Sequence, residues 1–217
     1  MTTNALAIWG TSGHARVVTT LVRLTRSWDI VGYVDEVNQD RWGGEFCGLP
    51  VLGGRDVLGS LQRRGVRHLF LAFGANAERS SLARELEKSG FEFPTLVHPS
   101  AVMADDAALG AGVYVGPGAI LNADAIVRSQ TIINSGAIVE HEARVGHAVH
   151  IGPRACLAGA VTVGDCAWIG AGAVIRDKCE VGEHAMVGMG AVVARSVAPR
   201  TVVVGCPARP MKRAASS

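Results

Sequence analysis

Aromatic residues make up only 5% of this 217-residue chain and charged residues 18%. The formal net charge is +2, and no stripe of Lys and Arg interleaved with aromatics is present. A nucleic-acid surface or a broad polyanion partner is therefore not expected. The N-terminus, MTTNALAIWG, runs into a strand-like apolar segment with no basic region before it, and no apolar stretch is long enough to cross a bilayer. Neither a signal peptide nor a membrane helix is expected. Cys47, Cys156, Cys166, Cys179 and Cys206 are odd in number and contain no CxxC pair. They read as reduced structural thiols of a cytoplasmic protein, not as a disulfide framework.

What is present is a repeat. From Val102 to Val197 the chain divides into sixteen hexads without one slip of register, from VMADDA and ALGAGV to MVGMGA and VVARSV. The second residue of every hexad is aliphatic or Met, and the sixth is Ala, Val, Thr or Cys. The third is Gly in eight hexads and Asn in two, which suggests a corner needing positive φ there. One large and one small inward residue followed by a tight corner is the signature of a β-helix. Three hexads make one triangular coil, so residues eighteen apart should stack and the prism should hold about five coils, ~25 Å tall at the usual strand spacing.

The first hundred residues read differently. ALAIWG (5–10), DIVGYVDE (29–36) and VRHLFLAFG (66–74) read as strands, alternating with helical spacing after His14 and over 76–90. That alternation predicts a small parallel α/β sheet. Gly10-Thr11-Ser12-Gly13-His14 stands between a strand and a helix, where backbone N–H groups and a helix N-terminus can meet a phosphate. The same spacing also serves a tight turn that merely needs glycine. Asp35 at the end of the second strand suits a ribose or sugar hydroxyl, or else a turn. The third glycine of a dinucleotide fingerprint is absent.

On the prism, the first position of each hexad should face outward. One such column reads Val102, Ile120, Ile138, Cys156, Val174, Val192 and has no polar member. An apolar column of that height should be covered, by a three-fold homo-oligomer or, as the alternative, by the N-terminal domain folding back over the face. His141 occupies the corner after Ile138, with Glu142 next to it and Gly159 stacked eighteen residues on. An imidazole titrates near neutral pH and suits a general base, and an adjacent carboxylate can hold its tautomer. A corner His can also be a hydrogen-bonded turn residue. His141, His147 and His150 together leave a metal shared between subunits as a further alternative. The tail TVVVGCPARPMKR ends in Arg209, Lys212 and Arg213, which either meet cofactor phosphates or form a solvated end.

WGTSGHARVV, GYVDE, LVHPSAVM, INSGAIVEHEARVGHAVHIGP and VVVGCPARP resemble the nucleotide-sugar N-acetyltransferases of the hexapeptide-repeat class, over nearly the whole chain. The resemblance implies a Rossmann-like α/β domain (1–98), a left-handed parallel β-helix (99–200) and a tail (201–217). It implies a homotrimer with acetyl-CoA between subunits and no metal. The implied activity is acetylation of the C4 amine of a nucleotide-linked 4-amino-4,6-dideoxy sugar, GDP-perosamine above others, for surface polysaccharide. His141 would be the base with Glu142 as its support. Ser12, Gly13, His14, Asp35 and Glu36 would contact the nucleotide sugar, and His150, Gly159, Gly188 and Pro207 the acetyl-CoA. A UDP carrier, an O-acetyltransferase of the sialic-acid type and a metal-dependent prism like the carbonic anhydrases are the rival readings.

Overall fold

A computed structural model of the chain describes residues 4–211. It divides into two compact units, Met1–Leu96 and Val97–Ser217.

The first unit contains β1 (Ala5–Trp9), α1 (Gly13–Thr25), β2 (Asp29–Val34), β3 (Glu45–Phe46), β4 (Leu49–Gly53), α2 (Leu58–Arg63), β5 (His68–Leu71) and α3 (Asn76–Lys88). The sheet order is β3-β4-β2-β1-β5. β1 pairs in parallel with both β2 and β5, and every one of its residues is buried. Helix α1 turns Ala15, Val18, Leu21 and Val22 inward at helical spacing and stops at Arg26, whose left-handed backbone lets its N–H reach the Val22 carbonyl. Strands β3 and β4 were not foreseen, because EFCGLPVLG carries Pro and Gly inside a short hairpin that shows no period. The strand order reverses between β1 and β5, and a parallel sheet opens a crevice at such a point, beyond its carboxyl ends.

The second unit is the prism. Sixteen two-residue strands, from Val102–Met103 to Val192–Val193, stack in three parallel sheets. Partners lie eighteen residues apart on all three faces, as in Ile120↔Ile138, Ile126↔Arg144 and Ile132↔His150. Second-position Leu121, Val127, Ile133, Val139, Val145 and Ile151 alternate with small sixth-position residues such as Ala119 and Ala137 to fill the interior. Close packing of large against small leaves no channel along the axis.

The corner chemistry differs from the sequence-based expectation. Positive φ falls on the fifth position of the hexad, not the third. Every fifth position from Gly112 to Gly190 is left-handed, at five glycines and nine other residues, Glu142 among them. A left-handed non-glycine residue costs roughly 1 kcal/mol. The fifth-position N–H offsets this by bonding the coil before, as Glu142 N–H does to the Ala123 carbonyl at 2.9 Å. The third-position glycines serve close stacking instead. A Cβ on Gly110 would lie 2.5 Å from the Ser129 nitrogen, and one on Gly164 2.5 Å from that of Glu183.

No member of the outward column from Val102 to Val192 is buried, and Val102 is 62% and Val174 41% exposed. Among the described residues, no helix is long and apolar enough to cross a membrane.

Candidate active site

The corner that carries His141 is pinned on both sides by the coil ladder. The His141 carbonyl accepts the Ala160 N–H at 2.8 Å, while the Glu142 N–H is spent on Ala123. The main chain is thus held independently of the two side chains, which stand 59% and 60% exposed. Their pairing is direct, with His141 Nδ1 3.1 Å from Glu142 Oε2. A carboxylate at Nδ1 accepts a hydrogen bond from Nδ1–H and so leaves Nε2 as the acceptor. That ring lies against Gly159 in the next coil, where a Cβ would sit 2.6 Å from both Nε2 and Cε1. Glycine at 159 is what leaves room for the imidazole. The Gly159 N–H itself makes no hydrogen bond among the described residues, since its neighbour Ala160 supplies the ladder.

The other two histidines have partners of their own. His147 Nδ1 meets Ser129 Oγ at 2.8 Å, and His150 Nε2 meets Asn134 Nδ2 at 3.3 Å. No group of three or more His, Cys, Asp or Glu able to hold a metal occurs among the described residues. Gly188 packs against the tail, where a Cβ would come 2.7 Å from Val204 Cγ1. Pro207 is exposed and follows a cis peptide. Arg195 and Arg209 line a recess of about 350 Å³ at this end of the prism. Lys212 and Arg213 lie outside the described residues.

The first unit holds a larger cavity, about 560 Å³, at the carboxyl ends of its strands. Ser12, Asp35 and Glu36 line it, together with Trp9, Arg55 and Glu78. Gly10 is required by the backbone, at φ +108° and with a Cβ position only 3.3 Å from the Ala72 carbonyl oxygen. Gly13 is not. It begins α1 with open space where a Cβ would stand, and no acidic residue occupies that first turn. His14 follows it, half-buried, and Ser12 donates to the Ala72 carbonyl at 3.2 Å.

Asp35 is 3% exposed and its two oxygens accept from inside the chain. Oδ2 takes the Thr11 N–H and hydroxyl and the Asn38 amide, while Oδ1 takes the N–H groups of Val37 and Asn38. Burial alone would raise its pKa, but these bonds, that from the Thr11 hydroxyl foremost, outweigh it and hold the pKa at about 2. The carboxylate thus ties the glycine loop to the loop after β2. The unfolded carboxylate gains a proton as pH falls below about 4, whereas folded Asp35 keeps its charge to about pH 2. Its stabilisation is therefore full above that window and lost as pH falls through it. Asp35→Asn is expected to remove about 2 kcal/mol at pH 7 and far less at pH 2. Denaturant unfolding at the two pH values checks this.

Two groups here escaped the sequence reading. Arg41 donates to the Thr11 carbonyl and to its hydroxyl at 3.1 Å, and so stands at the glycine loop. Arg55 bridges Glu36 at 2.7 Å and Glu85, with its guanidinium 5.8 Å over the Trp9 ring. Neither residue sits in a periodic pattern, so no local signal marks it.

Residues 5–86 match the model of the PglD N-terminal domain, and residues 160–195 that of the bacterial transferase hexapeptide repeats. PerB from Caulobacter crescentus, solved with CoA and GDP-perosamine, is 36% identical, with a TM-score of 0.91 over 97% of this chain and 98% of that one. The chain belongs to the hexapeptide-repeat sugar N-acetyltransferases. Its fold is theirs, a Rossmann-like domain followed by a left-handed parallel β-helix. A second member, the acetyltransferase domain of PglB from Neisseria gonorrhoeae with acetyl coenzyme A, is 31% identical, with a TM-score of 0.88 over 96% of this chain and 99% of that one. Among curated family members, UDP-N-acetylbacillosamine N-acetyltransferase of Bacillus subtilis is 35% identical over 113 residues. That match spans 51% of this chain and half the length of that enzyme.

Proposed function

We propose that this chain is an acetyl-CoA-dependent N-acetyltransferase acting on the C4 amine of a nucleotide-linked 4-amino-4,6-dideoxy sugar, with GDP-perosamine the favoured substrate. The observation that carries the reading is the His141–Glu142 pair at 3.1 Å, with Gly159 leaving space at the imidazole's far nitrogen. The PerB complex with CoA and GDP-perosamine and the PglB complex with acetyl coenzyme A support it.

Acetyl-CoA supplies an activated acyl thioester. His141 Nε2 takes the proton that the sugar amine sheds as it bonds the thioester carbonyl carbon. Glu142, on Nδ1, stabilises the imidazolium. The Gly159 N–H, which makes no hydrogen bond among the described residues, is the donor at hand for the oxyanion. His141 then returns its proton to the departing thiolate, which closes the cycle with no acylated residue. His150 and Gly159 would lie along the acetyl-CoA, with Gly188 and Pro207 further up the prism and Arg195 and Arg209 toward its phosphates. Ser12, Gly13 and His14 would face the diphosphate, with Asp35 and Glu36 beyond them. We place the enzyme in the cytoplasm, where its thiols stay reduced.

The exposed apolar column beside His141 supports a homotrimer. Val174→Lys, a change at a 41% exposed position, is expected to leave the chain folded and convert a trimer to monomers in sedimentation. A native protein that itself sediments as a monomer would remove the interface.

Acetyl transfer with a free-thiol readout, over a panel of GDP- and UDP-linked 4-amino sugars, tests the activity. Turnover on one carrier is expected. Binding of acetyl-CoA without turnover on any amino sugar would overturn amine acetylation.

A further inference from the structure

We propose that Glu78 reads the base of the nucleotide carrier and makes the cavity of the first unit selective for guanine over uracil. The inference rests on the nucleotide-sugar reading above. At about 560 Å³ the cavity is in the ordinary range for a small-molecule site. Three glutamates line it, Glu36, Glu78 and Glu85. Two of them are committed, because Arg55 bridges Glu36 and Glu85. Glu78 makes no ion pair among the described residues and is exposed to the cavity it lines. It stands in the first turn of α3, where the helix favours a negative charge, and a carboxylate offers acceptors only.

A carboxylate with both oxygens free matches an edge with two adjacent donors. Guanine offers that edge in N1–H and the N2 amino group, and both bonds are charge-assisted. Uracil offers one N–H between two carbonyl oxygens, so one of the flanking acceptors faces the carboxylate. The rest of the lining suits a purine too. The Arg55 guanidinium over Trp9 presents a flat cationic surface on which a large ring can stack. Hydrogen bonds to a charged group are worth about tenfold in affinity or more, which sets the expected size of the preference.

Calorimetric titration of GDP, IDP and UDP into the native protein and into Glu78→Gln tests this. IDP lacks only the N2 amino group. The native protein is expected to bind GDP about tenfold more tightly than IDP, with UDP weaker still. Glu78→Gln, with unchanged thermal melting, is expected to bind GDP and IDP within about threefold of each other, since a neutral amide forms no charge-assisted pair. Equal native affinity for GDP and IDP, an unaltered ratio in the variant, or a native preference for UDP would each overturn the assignment while leaving the nucleotide-sugar reading in place. Binding of acetyl-CoA with none of the three nucleotides would instead defeat that reading, and this inference with it.

Discussion

Replacing His141 by Asn is expected to lower kcat by about 10²–10⁴-fold, with little change in the affinity for acetyl-CoA or for the nucleotide sugar. Asn is close in size and polar, but it cannot accept a proton from an amine and return it to a thiolate. The fold should not notice the change. The side chain is 59% exposed, and the main chain on either side is held by Ala160 and Ala123, not by the imidazole. Binding and catalysis should therefore separate. Steady-state rates give the loss in kcat, and titration with acetyl-CoA gives the retained affinity. The residual rate would then belong to proximity and to the Gly159 N–H proposed for the oxyanion, which the substitution leaves alone. A variant that turns over at the native rate would end the general-base assignment.

Gly159→Ala is the second large effect, and it works at one remove. The backbone of Gly159 is not left-handed, so alanine is free to adopt it. The added methyl, however, would fall 2.6 Å from His141 Cε1 and Nε2. The exposed ring yields more cheaply than two pinned coils, so it turns aside and loses its 3.1 Å contact with Glu142. A displacement of about 1 Å in a reacting group can cost roughly 10²-fold, and that is the expected fall in kcat. Thermal melting should move little. A double-mutant cycle distinguishes this from damage to acetyl-CoA binding, because with Asn at 141 the methyl has no imidazole to displace. The double variant should then be about as slow as His141→Asn alone. Full additivity would show that Gly159 acts through something other than the base.

The two units were legible to different degrees. In the prism the signal is local and repeated, and sixteen hexads in one register set strand, corner and inward face together. Stacking at eighteen residues then brings His141 over Gly159 by arithmetic alone. What escaped was the position of the left-handed residue. Glycine at the third position suggested it there, yet that glycine answers to the backbone of the coil above. The left-handed fifth position accepts Glu142, Arg154 and Lys178, each repaid by a ladder bond, and Asp124, whose N–H donates to the Asp106 carboxylate instead. Composition at a corner shows which residues are tolerated, not which contact requires them.

The α/β unit carries no such repeat. The alternation of strands and helices and the glycine loop at residues 10–13 were readable, since each is a short-range pattern. The hairpin of β3 and β4 was not. Asp35 was readable as a turn carboxylate, which its bonds from the Val37 and Asn38 N–H groups make it, but its reach to Thr11 in the glycine loop was not.

By itself, then, the sequence determined the repeat, the prism with its apolar outer column, the corner that carries His141 and Glu142, and the parallel sheet ahead of it. All of these follow from periods of six, eighteen or a single turn of helix. The tertiary structure alone decided which groups share the cavity of the first unit. Trp9, Asp35, Arg55 and Glu78 come from four separate segments, and only the closing of the sheet brings them to one crevice. It also decided which of three glutamates stays uncommitted, since that depends on how far one guanidinium reaches across the fold.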